Sequence, residues 1–221
     1  MTIITFLIDF VLHMDRYLGQ IVTDTGLWTY IILFVVIFIE TGLVVTPFLP
    51  GDSILFAAGA LIAAQGVLDI KVLYILMVLA AVLGDTANYW IGRSLGPRVF
   101  HEKSRFFKKE YLDRTRVFYR EHGNMTIFLA RFIPIIRTFA PFVAGIGEMK
   151  YSHFISYNIV GGIVWPALFL FGGYFFGNIA FIKEHFSLVV IAIVLISLVP
   201  AIVTVLNERN RPQTTANPDL E

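Results

Sequence analysis

The chain of 221 residues contains no cysteine, and only 15% of its residues are charged. Without cysteine there can be no disulfide framework, no thiolate nucleophile and no Cys-ligated metal, and the redox compartment is left open. The low charge excludes an ordinary soluble domain, whose surface would need more charged groups to stay in water. What fills the space is apolar: 57% of the residues are hydrophobic and the mean hydropathy is +0.76. Long uncharged runs of this kind imply an all-α, polytopic membrane protein.

A cleavable leader is not expected either. The opening "MTIITFLIDFVLHMDRYLGQ" has no basic start, Asp9 interrupts its apolar run, and no small-residue cleavage site follows. Thr2, Thr5, Asp9, His13, Arg16 and Gln20 recur every three or four positions, which predicts an amphipathic interfacial helix over 1–22.

A spanning helix needs about 20 apolar residues. Four stretches qualify: 27–45, 71–92, 152–177 and 187–206. Two further apolar segments are broken by proline, which removes a backbone donor and clashes with the preceding turn. Residues 46–66 carry "TPFLPGD", and residues 124–147 carry "ARFIPIIRTFAPFVAGIG". Both read as re-entrant hairpins, tolerated where protein or a watery cavity covers the irregular backbone. Residues 1–206 thus form one membrane domain, and the polar tail 207–221 is expected to be disordered.

Charge placement orients the spans. Nine Lys or Arg fall between residues 93 and 120, so that loop and both termini are expected in the cytoplasm. The hairpins then enter from opposite faces, as the discontinuous segments of secondary transporters do. Phe107, Tyr111, Arg114 and Phe118 lie at helical spacing in the basic loop, which fits either an interfacial helix on anionic headgroups or a solvated loop that only fixes orientation.

Five ionisable residues fall at membrane depth: Glu40, Asp52, Asp85, Arg131 and Arg137. Charges there are costly, so each is a candidate functional residue. Arg131 and Arg137 flank Pro134, three residues to either side. If Pro134 marks a hairpin tip, the two guanidiniums converge on one cavity, and their planar forks suit a phosphate. The competing reading is a structural ion-pair cluster with Glu40 and Asp52. Glu40 fits a proton-titrating group or an ion-pair partner. Asp52 follows Pro50-Gly51 and fits either a proton-coupling group or a helix N-cap. Asp85, near Arg93, is expected to approach a wet interface and to be accessory, while Asn158 is expected to hydrogen-bond between helices. Gly161, Gly162, Gly172, Gly173 and Gly177 offer close helix approach, and Trp165-Pro166 marks a candidate kink.

The carboxylates outnumber the arginines by one. An unpaired carboxylate in a low-dielectric cavity favours its protonated form, and protonation would free a guanidinium for an incoming phosphate. Anion binding and proton uptake would then support each other. An enzyme is not expected. His13, His101, His122, His153 and His185 fall in expected interfaces or loops without paired spacing, and there is no P-loop, metal cluster or Gly-x-Ser-x-Gly elbow. No metal, cofactor or nucleic acid is expected.

The blocks "ETGLVVTPFLPGDS", "ARFIPIIRTFAPFVAGIGEM" and "FISYNIVGGIVW" resemble, in order, those of the DedA family of bacterial inner-membrane proteins, a branch of the VTT-domain superfamily that includes eukaryotic lipid scramblases. The resemblance runs from near residue 1 to about 206. It implies a fold with opposed re-entrant loops and movement of lipid phosphates, undecaprenyl phosphate among them, with dependence on the proton motive force. It also implies an acidic pair at Glu40 and Asp52 and an arginine pair at Arg131 and Arg137; Asp85 is less general in that pattern. A less selective phospholipid scramblase without ion coupling is the alternative. The expected partners are membrane lipids, above all a polyprenyl phosphate, and protons; homo-oligomerisation is left open.

Overall fold

A computed structural model describes residues 14–43, 51–66, 68–95 and 109–177, with isolated positions beyond 178. The expected helix over 1–22 is described only from Met14, and residues 46–50 of the first broken segment lie outside the described residues, as do all but three positions of the 187–206 span and the whole 207–221 tail.

The described chain is helical, with no strand among these residues. Helix α1 covers Met14–Thr25, α2 Trp28–Gly42, α3 Gly51–Gln65 and α4 Ile70–Leu95. Helix α5 covers Lys109–His122, α6 Thr126–Ala130, α7 Pro134–Val143 and α8 Tyr151–Phe176. Local chemistry sets several of these limits. Gly66 ends α3 at φ +65°, with its N–H on the Ile62 carbonyl at 2.8 Å, a left-handed cap that glycine adopts without steric cost. Asp69 caps α4, its Oδ1 accepting from the N–H groups of Lys71 at 2.7 Å and Val72 at 3.1 Å.

The segment 124–147 is broken at Arg131–Ile133, between α6 and α7. Ile133 is extended and Pro134 opens α7. Both follow from the ring, which disfavours helix in the residue before it and tolerates the first helical position. Pro141 lies inside α7 and Pro166 inside α8. The basic stretch 93–120 divides between the end of α4, positions outside the described residues, and α5.

Packing runs opposite to that of a soluble bundle. Leu27, Ile31, Val35 and Ile39 form an exposed apolar stripe on α2 and its N-terminal edge, Val72, Ile75, Leu79 and Leu83 another on α4, and Ile159, Val160, Ile163 and Val164 a third on α8. The buried faces carry small and polar groups instead: Ala80, Ala81, Gly84, Asp85 and Asn88 on α4, and Asn158, Gly161, Gly162 and Trp165 on α8. Apolar stripes of that extent fit a lipid solvent, while small residues let backbones approach. Helices α4 and α8 are both long and apolar enough to cross a membrane.

Two apolar clusters form the interior. One gathers Ile37, Leu55, Leu73, Met77, Trp165 and Leu170; the other gathers Tyr89, Phe139, Phe142 and Phe154. Helices α3 and α8 meet backbone to backbone: a side chain at Gly59 would strike the Leu170 carbonyl, and one at Gly173 the Phe56 carbonyl. Gly161, Gly162 and Gly177 are similarly confined. Gly172 differs from the expectation of close approach, because the nearest atom to an added Cβ would be a Phe56 ring carbon at 3.9 Å.

Candidate functional site

The charged residues come from α2, α3, α4, α7 and the turn between α6 and α7, and they assemble into two neighbouring clusters. In the first, Arg137 of α7 lies between two carboxylates. Its Nη2 donates to Glu40 Oε1 at the end of α2. Its Nη1 donates to Asp52 Oδ1 in the first turn of α3 at 3.0 Å. Trp165 of α8 completes the group. Its indole N–H donates to the same Asp52 oxygen at 2.8 Å, and the Arg137 guanidinium carbon lies 4.9 Å from the ring centroid, within cation–π reach. The Gly51 N–H donates to Glu40 Oε1 at 3.2 Å.

The second cluster centres on Arg131, at the break between α6 and α7. Its Nη2 donates to Asp85 Oδ2 of α4 at 2.6 Å and to Asn158 Oδ1 of α8 at 2.5 Å. Asn158 in turn donates through Nδ2 to the Val82 carbonyl at 3.0 Å and Thr86 Oγ1 at 3.3 Å. Gly161 admits the Arg131 side chain, since an added Cβ would sit 2.8 Å from its Cδ and Nε. Asn158, Gly161 and Trp165 fall on one face of α8 at helical spacing. Asn158 and Trp165 are two turns apart, roughly 10 Å along the axis, so the clusters are neighbours on one helix.

Asn88 lies between them. Its Nδ2 donates to the carbonyls of Thr41 at 3.3 Å and Thr138 at 2.8 Å, the residues that follow Glu40 and Arg137 in the chain.

Three expectations are corrected. The two guanidiniums do not converge on shared partners; each has its own carboxylates. Asp85 is not at a wet interface but buried, 2% exposed, and is the ion-pair partner of Arg131. Asp52 is not the N-cap of α3, because Gly51 already belongs to the helix; its carboxylate faces Arg137 and Trp165. Asn158 does hydrogen-bond between helices, as expected. Trp165 and Asn88 were missed. The sole hint for Trp165 was its one-turn offset from Gly161, and nothing local marked Asn88.

The clusters differ in charge. Asp85 and Arg131 balance one another. In the first cluster two carboxylates face one guanidinium, an excess of one negative charge when all are ionised. Its Asp52 and Arg137 side chains are the more open, 15% and 9% exposed against 3% and 2% for Asp85 and Arg131, while Glu40 is buried at 1%. Among the described residues, buried atoms without a hydrogen-bond partner occur in both clusters: Glu40 Oε2, Ser53 Oγ and Asn88 Oδ1, and also Asp85 Oδ1 and Arg131 Nε.

Helices with an apolar outer surface, packed around buried ion pairs, fit a membrane protein. Residues 49–175 match the VTT domain, and the chain belongs to that family, the DedA family. It is 48% identical to Protein DedA of Escherichia coli K12 over 95% of this chain and 96% of that one. It is 44% identical to the membrane protein Rv0364 of Mycobacterium tuberculosis over 84% of each chain. With inner membrane protein YghB of Escherichia coli K12 it shares 34% identity over 71% of each. These relatives support a membrane location. No solved structure matches the chain.

Proposed function

We propose that the protein is a proton-coupled carrier of a lipid phosphate, undecaprenyl phosphate, across the bacterial inner membrane. The observation that carries this reading is Arg137 held between Glu40 and Asp52. With both carboxylates ionised, the guanidinium fork is occupied. Protonating one of them releases part of the fork, which a phosphate then takes in bidentate fashion. Proton and anion therefore enter together.

Two further features support an anion at this place. Asp52 and Arg137 both lie in the first turns of short helices, α3 and α7, so both N-termini begin at the cluster, and helix N-termini favour negative charge. In our reading, segments 46–66 and 124–147 are re-entrant and arrive from opposite leaflets, the arrangement of discontinuous helices around a mid-bilayer site. The prenyl tail stays in lipid while the headgroup passes the cluster. Arg131, neutralised by Asp85 and fixed by Asn158, braces the break between α6 and α7. The protein acts as a carrier, not an enzyme.

Reconstitution in vesicles tests the proposal. Labelled undecaprenyl phosphate should cross faster with an imposed pH gradient and slow when the gradient is dissipated. Its binding should tighten as pH falls, and Glu40→Gln should flatten that dependence. Equal movement of ordinary phospholipids, indifferent to the gradient, would assign an uncoupled scramblase instead.

A further inference from the structure

Trp165 touches both members of the Arg137–Asp52 pair. Its indole N–H donates to Asp52 Oδ1 at 2.8 Å, the oxygen that also accepts from Arg137 Nη1 at 3.0 Å. Its ring face lies against the guanidinium, 4.9 Å from centroid to carbon. The residue is wholly buried and sits in the interior of α8, so it is held in place by packing.

Consider what each carboxylate keeps when an anion draws the guanidinium away. Asp52 loses the Arg137 donor but retains the indole N–H, which carries no charge and is not contested by an anion bound at Arg137. Among the described residues, Glu40 retains only the backbone N–H of Gly51, at 3.2 Å and on Oε1. Its Oε2 is buried without a partner among the described residues. A hydrogen bond to the ionised form favours that form, and an unsolvated carboxylate without one favours protonation.

Around Glu40, the described residues add no second cation. Among the described residues, Glu40 faces Arg137 from α7 and, through it, Asp52 from α3. Helix α4 presents the uncharged Asn88 to the adjoining Thr41 carbonyl, and Asp85 of the same helix is paired with Arg131. Asp52 faces Arg137 from α7 and Trp165 from α8.

We propose that Trp165 is a positioning residue that keeps Asp52 ionised as a fixed counter-charge, leaving Glu40 as the carboxylate that takes up the proton. The inference rests on the carrier reading and divides between two residues a role that reading gives to the pair. Proton uptake is then confined to the α2 side of Arg137, while the α3 side holds a constant charge through the cycle.

Infrared difference spectra of the full chain in lipid nanodiscs, between alkaline and acidic buffer, read carboxyl protonation directly. The wild type should show one buried carboxylic-acid band that Glu40→Gln loses and Asp52→Asn retains. Trp165→Phe keeps the ring but removes the donor, and should add a second band that disappears in Trp165→Phe/Asp52→Asn. Loss of the wild-type band in Asp52→Asn or Asp85→Asn, with retention in Glu40→Gln, would overturn the assignment. So would a Trp165→Phe spectrum identical to that of wild type. If Trp165→Phe does not fold, by circular dichroism and gel filtration, the Glu40 and Asp52 variants decide alone. Titration of the same wild-type nanodiscs with undecaprenyl phosphate separates the two ideas: absence of binding removes the carrier reading, whereas the band assignment stands or falls by itself.

Discussion

The two arginines carry the same charge and sit six positions apart, yet their partners give them different work. Arg131 and Asp85 form a neutral buried pair. Breaking such a pair leaves an uncompensated charge, so Arg131→Met should destabilise the protein by about 3–5 kcal/mol. Replacing both partners with apolar residues of similar volume is often neutral. Arg131→Met/Asp85→Leu should therefore recover most of the lost thermal stability in detergent. Arg137 is a different case, because its fork serves two carboxylates at once. Arg137→Lys keeps the charge but loses the planar bidentate geometry, so it should retain stability yet weaken undecaprenyl phosphate binding by about tenfold or more, the worth of one charge-assisted hydrogen bond. Isothermal titration of the purified variant checks this. The identities of all five ionisable residues were legible in the sequence because charge is rare in apolar runs. Their pairing was legible only in part: the ion-pair cluster with Glu40 and Asp52 fits Arg137 but not Arg131, whose partner is Asp85. Asp85 meets Arg131 across 46 positions and Glu40 meets Arg137 across 97, and only the packing of four helices decides such partnerships.

The helices themselves were easier to read. Hydropathy outlined α2, α4 and α8 to within a few residues, and proline located the break before α7 because its effect is local. Glycine was harder, since the same residue type serves close approach at one position and open space at the next. Gly59 and Gly173 bring α3 and α8 together at backbone distance. Gly59→Leu should part them, with an overpacking cost of about 1–3 kcal/mol seen as a lower melting temperature. Gly172 faces only a ring edge at 3.9 Å. Gly172→Ala should instead leave stability unchanged or raise it by up to about 1 kcal/mol, the gain from restricting an interior helical glycine. Opposite outcomes at adjacent classes of glycine would show that α3 and α8 are locked by backbone contact.

Taken whole, the described helices bury ion pairs beside two apolar clusters and also expose long apolar stripes, a surface that suits surrounding lipid. That arrangement also fixes which ends of α4 can be reached from water. With 26 residues, α4 is roughly 39 Å long at 1.5 Å per residue, more than the hydrocarbon thickness of about 30 Å. Its two ends must therefore emerge on opposite sides. The orientation expected from the basic residues beyond Arg93 would put that end in the cytoplasm and Gln65 and Gly66, before the other end, outside. The absence of native cysteine makes the measurement clean, because any introduced thiol is unique. Gln65 and Ser94 are both exposed. Gln65→Cys should react with a membrane-impermeant maleimide added to intact spheroplasts, and Ser94→Cys should react only after permeabilisation. The reverse pattern would invert the expected orientation of the whole bundle.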